Sequence, residues 1–159
     1  MPPDAPWIAV VGPGEAGADE LATAEEVGAE IAAAGAVLVC GGLGGVMEAA
    51  CRGARSRGGM TVGLLPGLDR GAANGWVQVA VPTGLGEARN ALIVRAADAI
   101  VAIGGSWATL SEIALGLKAG RPVVGLGTWE PARGGRAVEG ILAMNSPSEA
   151  VSEALARLS

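Results

Sequence analysis

The chain has 159 residues, half of them apolar, with 27 glycines, two cysteines, no histidine and a net charge of −5. That length fits one domain, expected over residues 1–159, with enough chain to bury a core. The acidic balance without a basic run argues against nucleic acid as a partner, no apolar run nears the ~20 residues that span a bilayer, and the lack of histidine excludes histidine-based acid–base or metal chemistry.

The first residues, MPPDAPW, place no basic segment before an apolar one and so do not read as a signal peptide. The expectation is a soluble cytoplasmic protein with no membrane contact. The first predicted element is the buried strand Trp7–Val11, WIAVV. It runs into Gly12-Pro13-Gly14-Glu15-Ala16-Gly17, a G-x-G-x-x-G after a strand, which is the dinucleotide fingerprint. Two features count against that fingerprint. Proline stands inside the turn, and the second strand ends in Cys40-Gly41 where an acid would hold a ribose. A plain glycine turn at the ligand edge fits better.

Residues 19–34 read as a helix, with Asp19 as its N-cap and Gly35 as its stop. A strand over residues 36–40 follows. Gly41-Gly42-Leu43-Gly44-Gly45-Val46-Met47 then opens a helix to about residue 57. Four glycines in five residues let backbone approach a ligand closely; the alternative is a tight strand-to-helix turn. Neither Cys40 nor Cys51 has a metal-type spacing, so both read as reduced packing thiols.

Residues 60–65 form the third strand, closed by Pro66-Gly67, and residues 67–76 make a candidate mobile flap at the ligand edge. Residues 76–81 form a fourth strand, and Thr83 beyond it is either a ligand contact or a turn residue. Residues 87–98 read as a helix whose apolar face holds Leu92, Ile93, Ala96 and Ala97, with Arg89 on that face one turn earlier. An inward arginine in a first turn is unexpected, because the helix dipole repels cations there. Its bland reading is a cap on a neighbouring carbonyl.

The strand Ala99–Ile103, the turn Gly104-Gly105-Ser106 and a helix carrying Thr109 and Glu112 come next. Leu110, Ile113, Ala114 and Leu117 form that helix's core stripe, and Glu112 points away from it, blandly a surface acid. A strand, a small-residue turn and a helix N-terminus make an anion site. The two glycine turns meet at one sheet edge with Arg89 and Thr109, which predicts a phosphate-bearing ligand. Its base lies in an apolar cleft near Met47 and Trp107.

Residues 122–126 form a sixth strand. Residues 128–140 are a loop with Trp129, Arg133 and Arg136, open to three readings: disorder, a lid, or a contact with a partner subunit. Residues 141–144 make a short edge strand, and Ser146-Pro147-Ser148-Glu149 is a capping box opening the last helix. Strands alternating with Ala-rich helices at short spacing predict an α/β, Rossmann-like three-layer sandwich. Its sheet is mostly parallel, with about six or seven strands and about five helices.

Residues 89–112 resemble the signature of the LONELY GUY (LOG) family. That signature is an Arg-Lys pair, an apolar strand and a Pro-Gly-Gly-x-Gly-Thr-x-x-Glu motif. Its arginine falls on Arg89, its threonine on Thr109 and its last glutamate on Glu112. Gly104 stands at the proline, Ser106 and Ala108 at two glycines, Asn90 at the lysine and Ser111 at a frequent first glutamate. Ala88-Arg89-Asn90 with Gly104-Gly105 and Thr109-Leu110-Ser111-Glu112 is closer to a sister group that includes the molybdenum-cofactor carrier proteins. Both groups lie in the SLOG superfamily of nucleotide-related ligand binders, and the resemblance covers roughly residues 7–127.

LOG enzymes hydrolyse the N-glycosidic bond of a purine nucleoside 5′-monophosphate. The resemblance implies Glu112 as the carboxylate that stabilises charge on the sugar and orients water. It implies Arg89 as the group that holds the ribose phosphate and keeps Glu112 ionised. With the glycine turns, it assigns ligand contacts to Gly41, Gly42, Gly44, Gly45, Met47, Gly104, Gly105, Ser106, Trp107, Ala108 and Thr109. The expected function is a phosphoribohydrolase that requires no cofactor. The alternative is a non-catalytic carrier binding molybdenum cofactor or a related phosphate-bearing ligand. Family members are often labelled lysine decarboxylases, but the one lysine, Lys118, sits far from the ligand edge, where it cannot form the pyridoxal Schiff base. The resemblance also implies a homodimer or higher homo-oligomer, and helices of little charge such as residues 113–119 leave apolar outer surface to hide.

Overall fold

The computed structural model describes residues 2–158. Nine strands form. They are β1 (Trp7–Val11), β2 (Val37–Cys40), β3 (Thr61–Leu65), β4 (Val79–Pro82), β5 (Ala99–Ile103), β6 (Val123–Leu126), β7 (Ala132–Arg133), β8 (Arg136–Ala137) and β9 (Ile141–Ala143). Five helices alternate with them: α1 (Ala18–Ala33), α2 (Val46–Ser56), α3 (Arg89–Ala96), α4 (Trp107–Lys118) and α5 (Pro147–Ala156). Seven strands pair in the order β4-β3-β2-β1-β5-β6-β9, all parallel. This is the expected Rossmann-like three-layer sandwich, at the upper strand count.

Strand side chains alternate between the two faces, which sets the layers. Ile8 and Val10 of β1 pack with α1, α2 and α5, while Ala9 and Val11 pack with α3 and α4. The strand order reverses beside β1, whose neighbours are β2 and β5. In open parallel sheets, ligands sit at that reversal, beyond the carboxyl ends of the strands. Among the described residues no helix is long and apolar enough to cross a membrane.

The structure departs from the sequence reading in several places. Residues 87–98 divide into a 3₁₀ turn over Gly86–Ala88 and the shorter α3. On α3 the buried side chains are Arg89, Ile93 and Val94, while Leu92 is 40% exposed and Ala96 is exposed. The register that carries Arg89 inward also carries Ile93 and Ala97, four and eight residues on. On α4 the buried face is Thr109, Glu112, Ile113 and Gly116. Ala114 is exposed and Leu110 and Leu117 are half-buried, so Glu112 points into the protein and not away from it.

Asp19 lies inside the first turn of α1, whose N-cap is Gly17; the Gly17 N–H donates to Glu20 Oε1 at 3.3 Å. Residues 128–140 carry the β7–β8 hairpin. Its two turn residues, Gly134 and Gly135, take φ of 60° and 77°, as a two-residue hairpin turn requires. The capping box of α5 forms in part: Ser146 Oγ accepts from the Glu149 N–H at 3.2 Å, and Glu149 reaches the Asn145 N–H.

Candidate functional site

The ends of β1 and β2, the turn after β5 and the first turns of α3 and α4 enclose a cavity of about 540 Å³. Its wall includes Gly12 and Gly14 after β1, Gly41 after β2, and Met47 on α2. Glu87, Arg89 and Asn90 come from the entry to α3, and Ser106, Trp107, Ala108, Ser111 and Glu112 from α4. The volume is that of a small-molecule pocket.

Arg89 is 8% exposed. Its Nη1–H donates to the Leu64 carbonyl at 2.9 Å, and its buried Nε has no partner. The bland cap on a carbonyl is therefore present, and it accounts for one of the five donors of the guanidinium. Gly41 makes room for it, since a Cβ there would overlap the Arg89 guanidinium. Burial lowers the pKa of Arg89, partly opposed by Glu112.

Glu112 is 9% exposed and forms no ion pair with Arg89. Burial pushes its carboxyl up to about 7, against the lowering effect of Arg89. Arg89 acts in the direction expected of it, favouring the ionised form of Glu112, but the desolvation of the buried carboxyl is the larger effect.

At the head of α4, Ser106 Oγ accepts from the Thr109 N–H at 3.2 Å and pairs with Thr109 Oγ1 at 3.0 Å. Thr109 is 1% exposed and serves this cap behind the cavity wall. Trp107 and Ala108, in the first turn of α4, line the cavity, and first-turn amides have no intrahelical acceptor. Gly104 takes φ of 61°, and its N–H donates to the Leu126 carbonyl at 3.1 Å. Proline, locked near −65°, cannot adopt that conformation, which is a physical reason for the departure from the LOG motif. Gly105 abuts Trp129, whose Nε1–H donates to the Ser106 carbonyl at 3.1 Å. The Trp129 ring also packs on Trp107 at a centroid distance of 5.1 Å.

Of the residues singled out in the sequence, Arg89, Glu112, Gly41, Met47, Ser106, Trp107 and Ala108 meet in the cavity. Gly42, Gly44, Gly45, Gly104, Gly105 and Thr109 lie outside its wall. Gly45 abuts the Pro13 and Gly14 carbonyls, and the Val46 N–H that opens α2 donates to Pro13 O at 3.1 Å. Gly42 packs on Leu65 and Gly63. The flap at 67–76 is tied to the glycine turn, with the Asn74 N–H donating to Gly42 O and Asn74 Nδ2 to Leu43 O. Gly12, Gly14, Gly86, Glu87, Asn90 and Ser111 belong to the wall and were not singled out as contacts. The G-x-G turn was the available signal for the first two.

Behind Gly41, Cys40 and Cys51 are buried free thiols with sulfurs 3.5 Å apart. The hydrogen bond between the two sulfurs, helped by the Gly42 N–H, holds the Cys40 thiol below its ordinary value, and the same contact and burial push Cys51 up.

Comparison with known proteins places this geometry. The model of the SLOG cluster4 family matches residues 5–151. The molybdenum cofactor binding protein from the phototrophic bacterium Rippkaea orientalis is similar with a TM-score of 0.88 and 32% identity, over 99% of each chain. The molybdenum cofactor carrier protein from Chlamydomonas reinhardtii gives 0.83 and 34%, over 97% of this chain and 98% of that one. A protein of Archaeoglobus fulgidus is 40% identical over 144 residues, 91% of each chain.

Proposed function

The chain belongs to the SLOG cluster4 family, and on that premise we propose that it is a binding protein for a phosphate-bearing ligand, a carrier of the molybdenum-cofactor type. The observation that carries this reading is the cavity walled by Arg89, whose buried Nε has no partner, and by the first residues of α4. A buried donor without a partner costs stability, and an anionic ligand would supply the missing acceptor. The phosphate would rest on Ser106, Trp107 and Ala108, and Arg89 would hold a second oxygen of the ligand. Trp107, 78% exposed at the rim, offers its ring to a planar pterin or base. The cofactor is cargo here, and the chain's part is to bind, orient and shield it. The relatives named as molybdenum cofactor binding and carrier proteins support this reading over the hydrolase that Arg89 and Glu112 imply by resemblance.

One observation keeps hydrolysis as the second reading. Glu112 is a buried carboxyl near neutrality inside the cavity, a value suited to a general base. Calorimetric titration with AMP, GMP and a pterin phosphate tests the main reading, and Arg89→Ala should weaken binding roughly tenfold to a hundredfold. No binding of any of them removes it. Free base released from AMP or isopentenyladenosine monophosphate, and lost in Glu112→Gln, would make the protein a phosphoribohydrolase instead. We also propose that the chain forms a homodimer, as the resemblance to the LOG family implies.

A further inference from the structure

Glu112 lines the cavity at 9% exposure, and its carboxylate makes no hydrogen bond and no ion pair among the described residues. The charged and titratable groups around it are few. Arg89 comes from α3, Glu87 from the turn before α3, and Cys40 lies behind Arg89 at the end of β2. Met47 on α2 brings no charge. Arg89 is engaged with the Leu64 carbonyl, on β3, and does not close on Glu112.

An anionic ligand entering this cavity meets a carboxyl group at short range in a poorly solvated place. An ionised carboxylate there repels it, while a neutral carboxyl donates a short, strong O–H···O⁻ hydrogen bond. We infer that Glu112 binds the ligand in its neutral form, as a hydrogen-bond donor to an anionic oxygen, so that capture takes up one proton and loss of that proton favours release. This rests on the reading of the cavity as a site for a phosphate-bearing ligand. The second carboxylate of the wall, Glu87, is exposed to water.

Burial already brings Glu112 to about 7 without ligand, so near neutrality the proton is available at little cost. A nearby anion raises the group further, since like charges disfavour its ionisation. A neutral carboxylic acid held as a donor in an apolar pocket is an established device in other proteins.

Titration with AMP tests the inference. Above neutral pH a phosphate monoester is already mostly dianionic, its second pKa being about 6, so the probe's phosphate contributes little. Between about pH 7.5 and about pH 8.5 the affinity should fall by close to tenfold, because one proton must be taken up at each binding event. Calorimetry in buffers of different ionisation heat should give close to one proton absorbed per AMP. Glu112→Gln keeps a neutral donor, so its affinity should be flat over this range and exceed that of the unmodified protein at the upper end. AMP binding that is flat with pH and absorbs no proton overturns the inference and leaves the ligand reading standing. Failure of both AMP and a pterin phosphate to bind at any pH overturns the ligand reading, and the inference with it. The proton count is made on the unmodified protein and stands even if Glu112→Gln does not fold.

Discussion

Gly41 and Arg89 form one unit: the arginine lies where a side chain of residue 41 would be. A methyl group at residue 41 cannot share space with the guanidinium, so the arginine holds this position only beside glycine. Gly41→Ala should push Arg89 off its Leu64 carbonyl and out of the cavity wall. The expected outcome is a loss of AMP or pterin-phosphate affinity comparable to that of Arg89→Ala, roughly tenfold to a hundredfold, with an unchanged circular dichroism spectrum. Affinity equal to the unmodified protein would show that the Arg89 position is immaterial. Glu112 obeys a different rule. Its burial comes from a one-position rotation of α4 relative to the apolar stripe read in the sequence, and Thr109 and Gly116 take the inward places assigned to Leu110 and Leu117. Small and polar residues occupy that face because Gly116 packs directly on Ile100 and Val123, while Thr109 closes the cap with Ser106.

At the scale of elements, α1 and α2 cross closely because each supplies a glycine at the contact. A Cβ on Gly28 would overlap the Ala50 carbonyl, and one on Gly53 the Glu25 carbonyl. Backbone cannot yield as a flexible side chain does, so Gly53→Ala should destabilise the protein by about 1–3 kcal/mol despite alanine's better helix propensity. Chemical denaturation would read this as a lower midpoint at unchanged slope; an unchanged or raised midpoint would mean that the helices simply move apart. These elements were legible in the sequence because each is punctuated. Gly35, Gly58 and Gly120 end helices with positive φ, and the central strands are short uncharged runs. The hairpin at Ala132–Ala137 was not legible, since its strands are two residues long and exposed, with no alternation to read. The cavity wall was legible where a glycine turn or an odd charge marked it. Asn90, Ser111 and Glu87 were not, because a polar residue near the start of a helix looks alike at a cavity and in open solvent. The roles of Gly44 and Gly45 depend on the β1 turn folding against them, a contact between segments thirty residues apart that no local pattern carries.

The whole molecule has two unequal faces. α1, α2 and α5 cover one side of the sheet, while α3 and α4 alone cover the other. On that second side the outermost strand is bare. The register pairs Val79 with Val62 and Val81 with Leu64, so the two valines share the α3–α4 face, where they are 45% and 39% exposed. Leu92 on α3 and Ala114 on α4 turn outward on this side as well. Apolar residues placed outward on both helices and on the adjoining strand form a surface that a second copy would cover. Light scattering at micromolar concentration should then give about twice the 15.5 kDa chain mass. Leu92→Asp places an unpaired charge in that interface, at a cost of several kcal/mol per ion, and should yield a monomer. Because Leu92 lies outside the cavity wall, the monomer should still bind AMP if the cavity is complete within one chain. A monomeric unmodified protein would remove the dimer. A dimer that survives Leu92→Asp would move the pairing to another face.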